Sequence, residues 1–284
     1  IYIHLTLVPW IASASELKTK PTQHSVTKLR EIGIQPDILL CRTEKDLDQD
    51  IKKKIALFTN VTYDAVIQAK DVENVYEVTL RFHEEGLDEK IVELLQLWTK
   101  RPNLQKWADI VHSFNNPKDE VTIGIVGKYV ELRDSYKSLH EALLHSGIEL
   151  NLKVNINYVD SENLSDEEEL QEWKKCDGIL IPGGFGERGV AGKIETIRYA
   201  RENKIPYFGI CLGLQVAVIE YARNVLGIKD ANTVEIDPNT KDNIIDMMEE
   251  QKQIKNMGGT MRLGAYPAVL VPGSKIAEIY GSEK

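Results

Sequence analysis

Gly209-Ile210-Cys211-Leu212-Gly213-Leu214-Gln215 is the stretch that decides the fold. An apolar run, Pro206-Tyr207-Phe208-Gly209-Ile210, leads into it, and the helical pattern from Leu214 to Tyr221 leads out. A small residue two before and two after a potential nucleophile is the logic of a nucleophile elbow. The strand-to-helix turn is so tight that only a very small side chain fits beside the nucleophile. It leaves the thiol exposed at a helix N-terminus, the end at which the helix dipole favours negative charge. A cysteine alone is more often a small buried hydrophobe. Cys211 within G-x-C-x-G, between a strand and a helix, is instead a candidate nucleophile.

Upstream, Gly178-Ile179-Leu180-Ile181 reads as a short buried strand, followed by Pro182-Gly183-Gly184-Phe185-Gly186-Glu187-Arg188-Gly189. Glycines at 183, 184, 186 and 189 give a loop whose amides can turn toward a ligand. A tight turn or a dinucleotide loop are the alternatives, but no acidic strand end follows at the distance a dinucleotide site requires. Beside an elbow, the expected job is an oxyanion hole made by an amide of Gly183 or Gly184 and one of Leu212.

These residues carry a resemblance. PGGFGERG, GICLGLQ and GGTMRLG at 258–264 resemble the glutaminase domain of the CTP synthase family, a class I glutamine amidotransferase domain. KTKPTQHSV at 18–26 and IGIQPDILLCR at 32–42 resemble the synthetase half of the same family, so the likeness runs along nearly the whole chain. It implies an α/β fold of two parallel-sheet domains. One is a P-loop-like nucleotide (synthetase) domain fragment at 1–100. The other, at 121–284, is a flavodoxin-like class I glutaminase domain fragment lacking its C-terminal end. A linker is expected at 101–120, which is rich in Pro and Asn and lacks sustained periodicity.

Composition sets bounds. The 284 residues suffice for two domains with cores of their own. A net charge of −9 argues against a nucleic-acid partner, so an anionic ligand needs a local basic cluster. Cys41, Cys176 and Cys211 are odd in number and widely spaced, which implies no disulfide framework and fits a reducing, cytoplasmic setting. No run is long enough to span a bilayer. The start, IYIHLTLVPWIASAS, imitates a signal peptide but has no basic leader. Ile1–Val8 alternates as a strand entered midway, with Tyr2, His4 and Thr6 on one side and Ile1, Ile3, Leu5 and Leu7 on the other.

In the first half, a helix is expected over about 22–32, with Val26, Leu29 and Ile32 on one face and Gly33 as its stop. Strands are expected at 36–41 and 65–68, with a helix at 46–58 that turns Ile51, Ile55 and Phe58 inward. An amphipathic helix follows at 87–98, built on Ile91, Leu94, Leu95 and Trp98, then a short one near 107–111. Two lysines and two threonines before the first helix suit a phosphate group, though composition alone also allows a solvated basic loop. The resemblance implies that Lys18, Thr19, Lys20, Gln23 and Lys54 bind UTP, and CTP as feedback inhibitor. It likewise places Arg42, Lys70, Asp71 and Val72 near ATP, at strand ends where α/β sheets hold ligands. No G-x-x-x-x-G-K-[ST] loop occurs. The family's own phosphate loop and magnesium carboxylates belong to a more N-terminal part, so no metal ligand is expected in this chain and both ends read as truncated.

In the second half, strands are expected at 121–126, 154–158, 178–181 and 206–210. Asp134 or Ser135 would cap a helix carrying Tyr136, Leu139 and Leu143, and Ser165-Asp166-Glu167-Glu168 has capping-box spacing. A helix bearing Ile194 and Ile197 would separate the last two strands. The implied chemistry is attack of Cys211 on the glutamine carboxamide with release of ammonia. Gln215 and Glu235 match family positions that contact glutamine. Gly258, Gly259, Thr260, Arg262 and Gly264 match a lid linked to activation by GTP. The base should be a histidine held by a carboxylate, which in the family come from a C-terminal H-x-E motif. All six histidines here precede Cys211, so this polypeptide alone is expected to have little or no turnover.

The reading is ATP-dependent amination of UTP to CTP with Mg2+, in a homo-tetramer that can form filaments. Another class I amidotransferase, or a catalytically silent nucleotide-binding assembly protein, are the alternatives. KTKPTQ and GGTMRLG weigh against the first, and the retained elbow against the second.

Overall fold

The computed structural model describes residues 1–127, 136–161, 174–184, 186–246, 265 and 267–281. The chain divides into two compact units, Ile1–Glu120 with Ala142–Lys153, and Val121–Glu141 with Val154–Lys284.

The first unit begins with β1 (Ile3–Leu7), a two-residue hairpin of β2 (Trp10–Ile11) and β3 (Glu16–Leu17), and α1 (Lys20–Glu31). Then come β4 (Ile38–Thr43), α2 (Gln49–Thr59), β5 (Val66–Lys70), α3 (Glu77–Glu84), α4 (Leu87–Leu94) and α5 (Gln105–Asn115). β1, β4 and β5 form one sheet in that order, all parallel, with Leu5 opposite Leu40 and Leu40 opposite Ile67. Val26 of α1 and Ile55 and Ala56 of α2 pack with Leu39, Cys41 and Val66 on one face. Phe82 of α3 and Leu87, Ile91 and Leu94 of α4 pack with Ile38 and Ile67 on the other. Alternate residues of a strand point to opposite faces, so Ile38 and Leu39 serve different layers.

Local chemistry sets the helix ends. Asp48 accepts a hydrogen bond from the Ile51 amide at 2.7 Å and caps α2, and Asn60 closes it in a left-handed conformation. Gly33, at φ 87°, follows the end of α1. Several side chains expected inside are outside. Ile32 is 72% exposed and falls after the last turn of α1, while Phe58 is 56% exposed because Ala56 and Thr59 take the inner face of α2. α4 stops at Leu94, which leaves Leu95 and Trp98 in solvent. α3 was absent from the sequence reading, and α5 fills most of the stretch whose composition suggests a linker. β1 shows its apolar side outward: Thr6 is buried, whereas Ile3, Leu5 and Leu7 are exposed.

The second unit contains most of β6 (Asp119–Gly127), the start of α6 (Lys137–Leu150) and most of β7 (Leu152–Asp160). It continues with β8 (Gly178–Ile181), α7 (Val190–Asn203), β9 (Tyr207–Gly209), α8 (Leu212–Asn224), the short parallel pair β10 (Ala231–Thr233) and β11 (Asp242–Ile245), and α9 (Lys275–Tyr280). The main sheet runs β7-β6-β8-β9, with β8 parallel to both β6 and β9. In sequence order that is 2-1-3-4, the doubly wound arrangement whose ligands lie beyond the strands' C-terminal ends. Its core joins Val126, Ile179 and Ile181 of the sheet to Ile197 of α7 and Leu212 and Val216 of α8. The expected caps at Asp134 or Ser135 and at Ser165–Glu168 lie outside the described residues.

α7 and α8 are locked together by a charged group inside this layer. Glu220 of α8 is 1% exposed and accepts from Arg201 of α7 at 2.9 to 3.1 Å and from Asn224 at 3.1 Å. A buried carboxylate survives only with such donors around it.

Candidate active site and nucleotide cleft

The end of β9 turns directly into α8, and Cys211 is the residue at the turn. Its φ of 53° and ψ of −109° lie in a region an L-residue enters only under strain, of the order of 1–3 kcal/mol. The two flanking glycines are sterically required. A Cβ on Gly213 would come within 2.2 Å of the Ile181 carbonyl oxygen, and one on Gly209 within 2.5 to 2.6 Å of the Gly213–Leu214 backbone. Three hydrogen bonds brace the turn. The Ile210 amide donates to Ile181 O at 2.9 Å, the Gly213 amide to Ile210 O at 2.9 Å, and the Tyr207 hydroxyl to Gly213 O at 2.7 Å. Burial pushes the Tyr207 phenol pKa up. Cys211 is exposed, whereas Cys41 and Cys176 are buried.

The glycine loop after β8 meets the elbow. A Cβ on Gly183 would lie 3.3 Å from Cys211 Cβ and 4.0 Å from its Sγ, and one on Gly184 would touch Leu212 at 3.7 Å. Leu212 is the first residue of α8, so its amide has no partner within the helix. Gln215 lies one turn on, its amide bonded to the Cys211 carbonyl at 3.2 Å. Glu235, just beyond β10, reaches the same loop by accepting from the Gly186 amide at 3.3 Å. Thus Gly183, Gly184, Cys211 and Leu212 come together, with Glu235 attached to their loop. Gly258, Gly259, Thr260, Arg262 and Gly264 lie outside the described residues. Ile181 and Tyr207 are parts of this site that the sequence reading missed. The only hint was a tyrosine in an otherwise apolar strand.

Four histidines are hydrogen-bonded within the first unit: His4 with Ser25, His83 with Asp88, His112 with Asn116 and His145 with Tyr76. His24 and His140 are exposed on α1 and α6.

In the first unit, Thr19 precedes α1 and is buried, and its hydroxyl accepts from Gln23 Nε2 at 3.1 Å. Lys20 and Pro21 open the helix, and Lys18 pairs with Glu16. Lys54 is exposed on α2. Lys52, by contrast, is held by Glu85 at 2.6 Å. At the C-terminal ends of β4 and β5, Arg42 Nε donates to Asp71 Oδ1 at 2.8 Å, and Lys70 pairs with Asp46 at 2.8 Å. Hydrogen bonds from Lys70 and Gln68 hold the Asp46 carboxyl below its ordinary range. Arg42, Lys70, Asp71 and Val72 all line one open cleft of about 510 Å³, together with Arg81 and Phe82 of α3. α3 was unforeseen, so Arg81 was too. Among the described residues no group of three or more His, Cys, Asp or Glu is arranged to hold a metal ion.

A strained cysteine between a parallel strand and a helix, faced by a glycine loop, defines the class: an α/β protein built around a nucleophile elbow. Comparison with known proteins narrows it. Residues 131–283 match the family model for class-I glutamine amidotransferases, and residues 1–97 match that of the CTP synthase N-terminus. A CTP synthase of Maridesulfovibrio salexigens is 56% identical over 292 residues, covering 99% of this chain and 54% of its own length. One of Koribacter versatilis is 57% identical over 284 residues, covering 99% and 51%. A solved Trypanosoma brucei CTPS glutaminase domain with bound acivicin is 38% identical, covering 56% of this chain and 62% of that one at a TM-score of 0.47. The chain belongs to the CTP synthase family, and its second half is a class I glutamine amidotransferase domain. It spans about half the length of the curated relatives it matches.

Proposed function

We propose that this chain carries the glutaminase nucleophile and part of the nucleotide site of an enzyme that aminates UTP to CTP at the expense of ATP. The observation that carries the proposal is the strained Cys211 elbow set against the Gly183-Gly184 loop. Cys211 Sγ attacks the carboxamide carbon of glutamine. The oxyanion that forms is held by the amide of Leu212 and that of Gly183 or Gly184. Collapse of the tetrahedral adduct expels ammonia and leaves a thioester, which water hydrolyses to glutamate and free thiol. Gln215 and the Glu235 carboxylate hold the substrate's polar end, with Glu235 matched to an α-ammonium. The lid role belongs to Gly258, Gly259, Thr260, Arg262 and Gly264, and responds to GTP.

In the first unit, Lys18, Thr19, Lys20, Gln23 and Lys54 take UTP, or CTP as inhibitor. Arg42, Lys70, Asp71 and Val72 take ATP. ATP phosphorylates the uracil oxygen, and ammonia then displaces phosphate. Mg2+ accompanies ATP, and no step is assigned to a metal ligand of this chain. The assignment runs with a synthetase domain over 1–100, a connector over 101–120 and a glutaminase domain from 121. The enzyme works in the cytoplasm as a homo-tetramer capable of filaments. Among the described residues, no helix is long and apolar enough to cross a membrane.

The test is CTP formation from UTP and ATP by a chain carried to its relatives' full length, with glutamine or ammonia as nitrogen source. Cys211→Ala should abolish the glutamine-dependent reaction and spare the ammonia-dependent one. Glutamine-dependent synthesis surviving in that variant would refute the assignment.

A further inference from the structure

The cleft beyond β4 and β5 has a neighbour. A second opening of about 380 Å³ shares Lys70, Asp71, Val72, Glu73 and Arg81 with it. The two differ in chemistry. The larger is walled by apolar side chains, among them Leu5, Val72, Val75, Val78 and Phe82. The smaller is lined by carboxylates, Asp46, Glu77, Glu84 and Glu85 besides the shared Asp71 and Glu73, against only Lys70 and Arg81 as cations. A polyphosphate is repelled from the second opening. A flat, weakly polar ring is suited to the first.

Three cations border the apolar cleft, each in an exposed ion pair, and Arg81 alone has its partners on its own helix. Arg42 is tied to Asp71, and Lys70 to Asp46, each across separate elements. Arg81 pairs with Glu84 at 3.0 Å and Glu77 at 3.9 Å, both on its own helix, and its side chain is 56% exposed. Exposed pairs within one helix hold a side chain only weakly. Arg81 can therefore swing to a ligand at small expense, and it lines both openings, as Lys70, Asp71, Val72 and Glu73 do. A guanidinium there has a flat face to lay against a heteroaromatic ring and donors to offer its ring nitrogens.

We infer that Arg81 is a base-binding residue, closing the far end of the apolar cleft over the adenine ring of ATP. This rests on the reading of the cleft as the ATP site. The base lies between Val72 and Phe82, with the carboxylates of Asp71 and Glu73 available to accept from its exocyclic amine. The polyphosphate leaves on the side away from the acidic opening.

The experiment is calorimetric titration of the 284-residue chain with ATP, ADP and adenosine, for the unaltered protein, Arg81→Ala and Glu84→Gln. Arg81→Ala should raise Kd for all three ligands by a similar factor, roughly three- to thirtyfold, with an unchanged ligand-free Tm. Glu84→Gln, which removes the ion partner and leaves the guanidinium, should bind as the unaltered protein does. Unchanged affinities in Arg81→Ala would overturn the inference. So would a loss confined to ATP and ADP, which marks a phosphate contact, or an equal loss in Glu84→Gln, which marks α3 itself. Failure of the unaltered chain to bind any of the three would instead sink the ATP reading of the cleft, and this inference with it.

Discussion

The elbow and the cleft beyond β4 and β5 are built by opposite means. Around Cys211 the positions are set by close backbone approach: Gly213 on Ile181 and Gly209 on Gly213, with Gly183 against the Cys211 side chain. In the cleft the polar groups are charged side chains on strand ends and on α3, held in exposed pairs with Asp71, Asp46 and Glu84. A site made by close packing of backbone is stiff and tolerates almost no added atom. One made by exposed ion pairs is soft, and its members can exchange a protein partner for a ligand at little cost. The contrast suits the tasks assigned. A thiol must meet a carboxamide at a fixed angle, whereas a nucleotide cleft must open, fill and empty.

The sharpest way to break that contrast is at the elbow. Gly213→Ala should lower the rate of Cys211 alkylation by a glutamine-mimicking electrophile about a hundredfold, the scale of a reacting atom displaced by 1 Å. It should also lower stability in urea by about 1–3 kcal/mol. Gly184→Ala, whose Cβ meets only Leu212 at 3.7 Å, is the matched control and should keep its fold.

The next effect compares two thiols. Burial pushes the Cys41 pKa up from 9.0 to about 12, with nearby Lys52 pulling it partly back. The folded state therefore binds the proton more tightly than the unfolded chain. The resulting stabilisation is full below pH 9 and is lost as pH rises toward 12, by up to about 4 kcal/mol. Urea unfolding at pH 8 and pH 11 should show that decline, and Cys41→Ala should flatten it. A decline of equal size in the variant would contradict the assignment to Cys41.

Smaller effects sharpen the picture. Glu235→Gln should weaken protection of Cys211 by glutamine about tenfold, the size of one charge-assisted hydrogen bond, while alkylation in the absence of glutamine is little changed. Asp71→Asn, which breaks an exposed pair with Arg42, should alter unfolding stability by less than about 0.5 kcal/mol. A large loss there would mean that the cleft is as rigid as the elbow.

How far the sequence could be read follows the same division. The elbow was legible because its constraint is local: G-x-C-x-G between an apolar run and a helix leaves few conformations open. The apolar runs at 178–181 and 38–41 disclosed their strands for a similar reason. Side-chain facing was harder. Ile32 and Phe58 match a helical period but fall beyond the stripe that the sheet covers, and Trp98 lies past the end of its helix. The alternation of β1 is plain in sequence, but not that its apolar side faces outward. α3 escaped because its pattern, EVTLRFHE, mixes β-branched and charged residues, none of them is fully buried, and only a half-buried Phe82 packs it on Ile38 and Ile67. With α3 went Arg81. Arg42, Lys70, Asp71 and Val72 are grouped by family likeness and do line one cleft, although spacing alone would not have gathered them.

The most direct test of the account is reaction of the chain with 6-diazo-5-oxo-norleucine, followed by mass spectrometry at each cysteine. Cys211 should be modified while buried Cys41 and Cys176 stay free, and added glutamine should slow the modification. Equal modification of the three thiols, or labelling of Cys211 that glutamine does not slow, would contradict the claim that the elbow is a formed glutamine site.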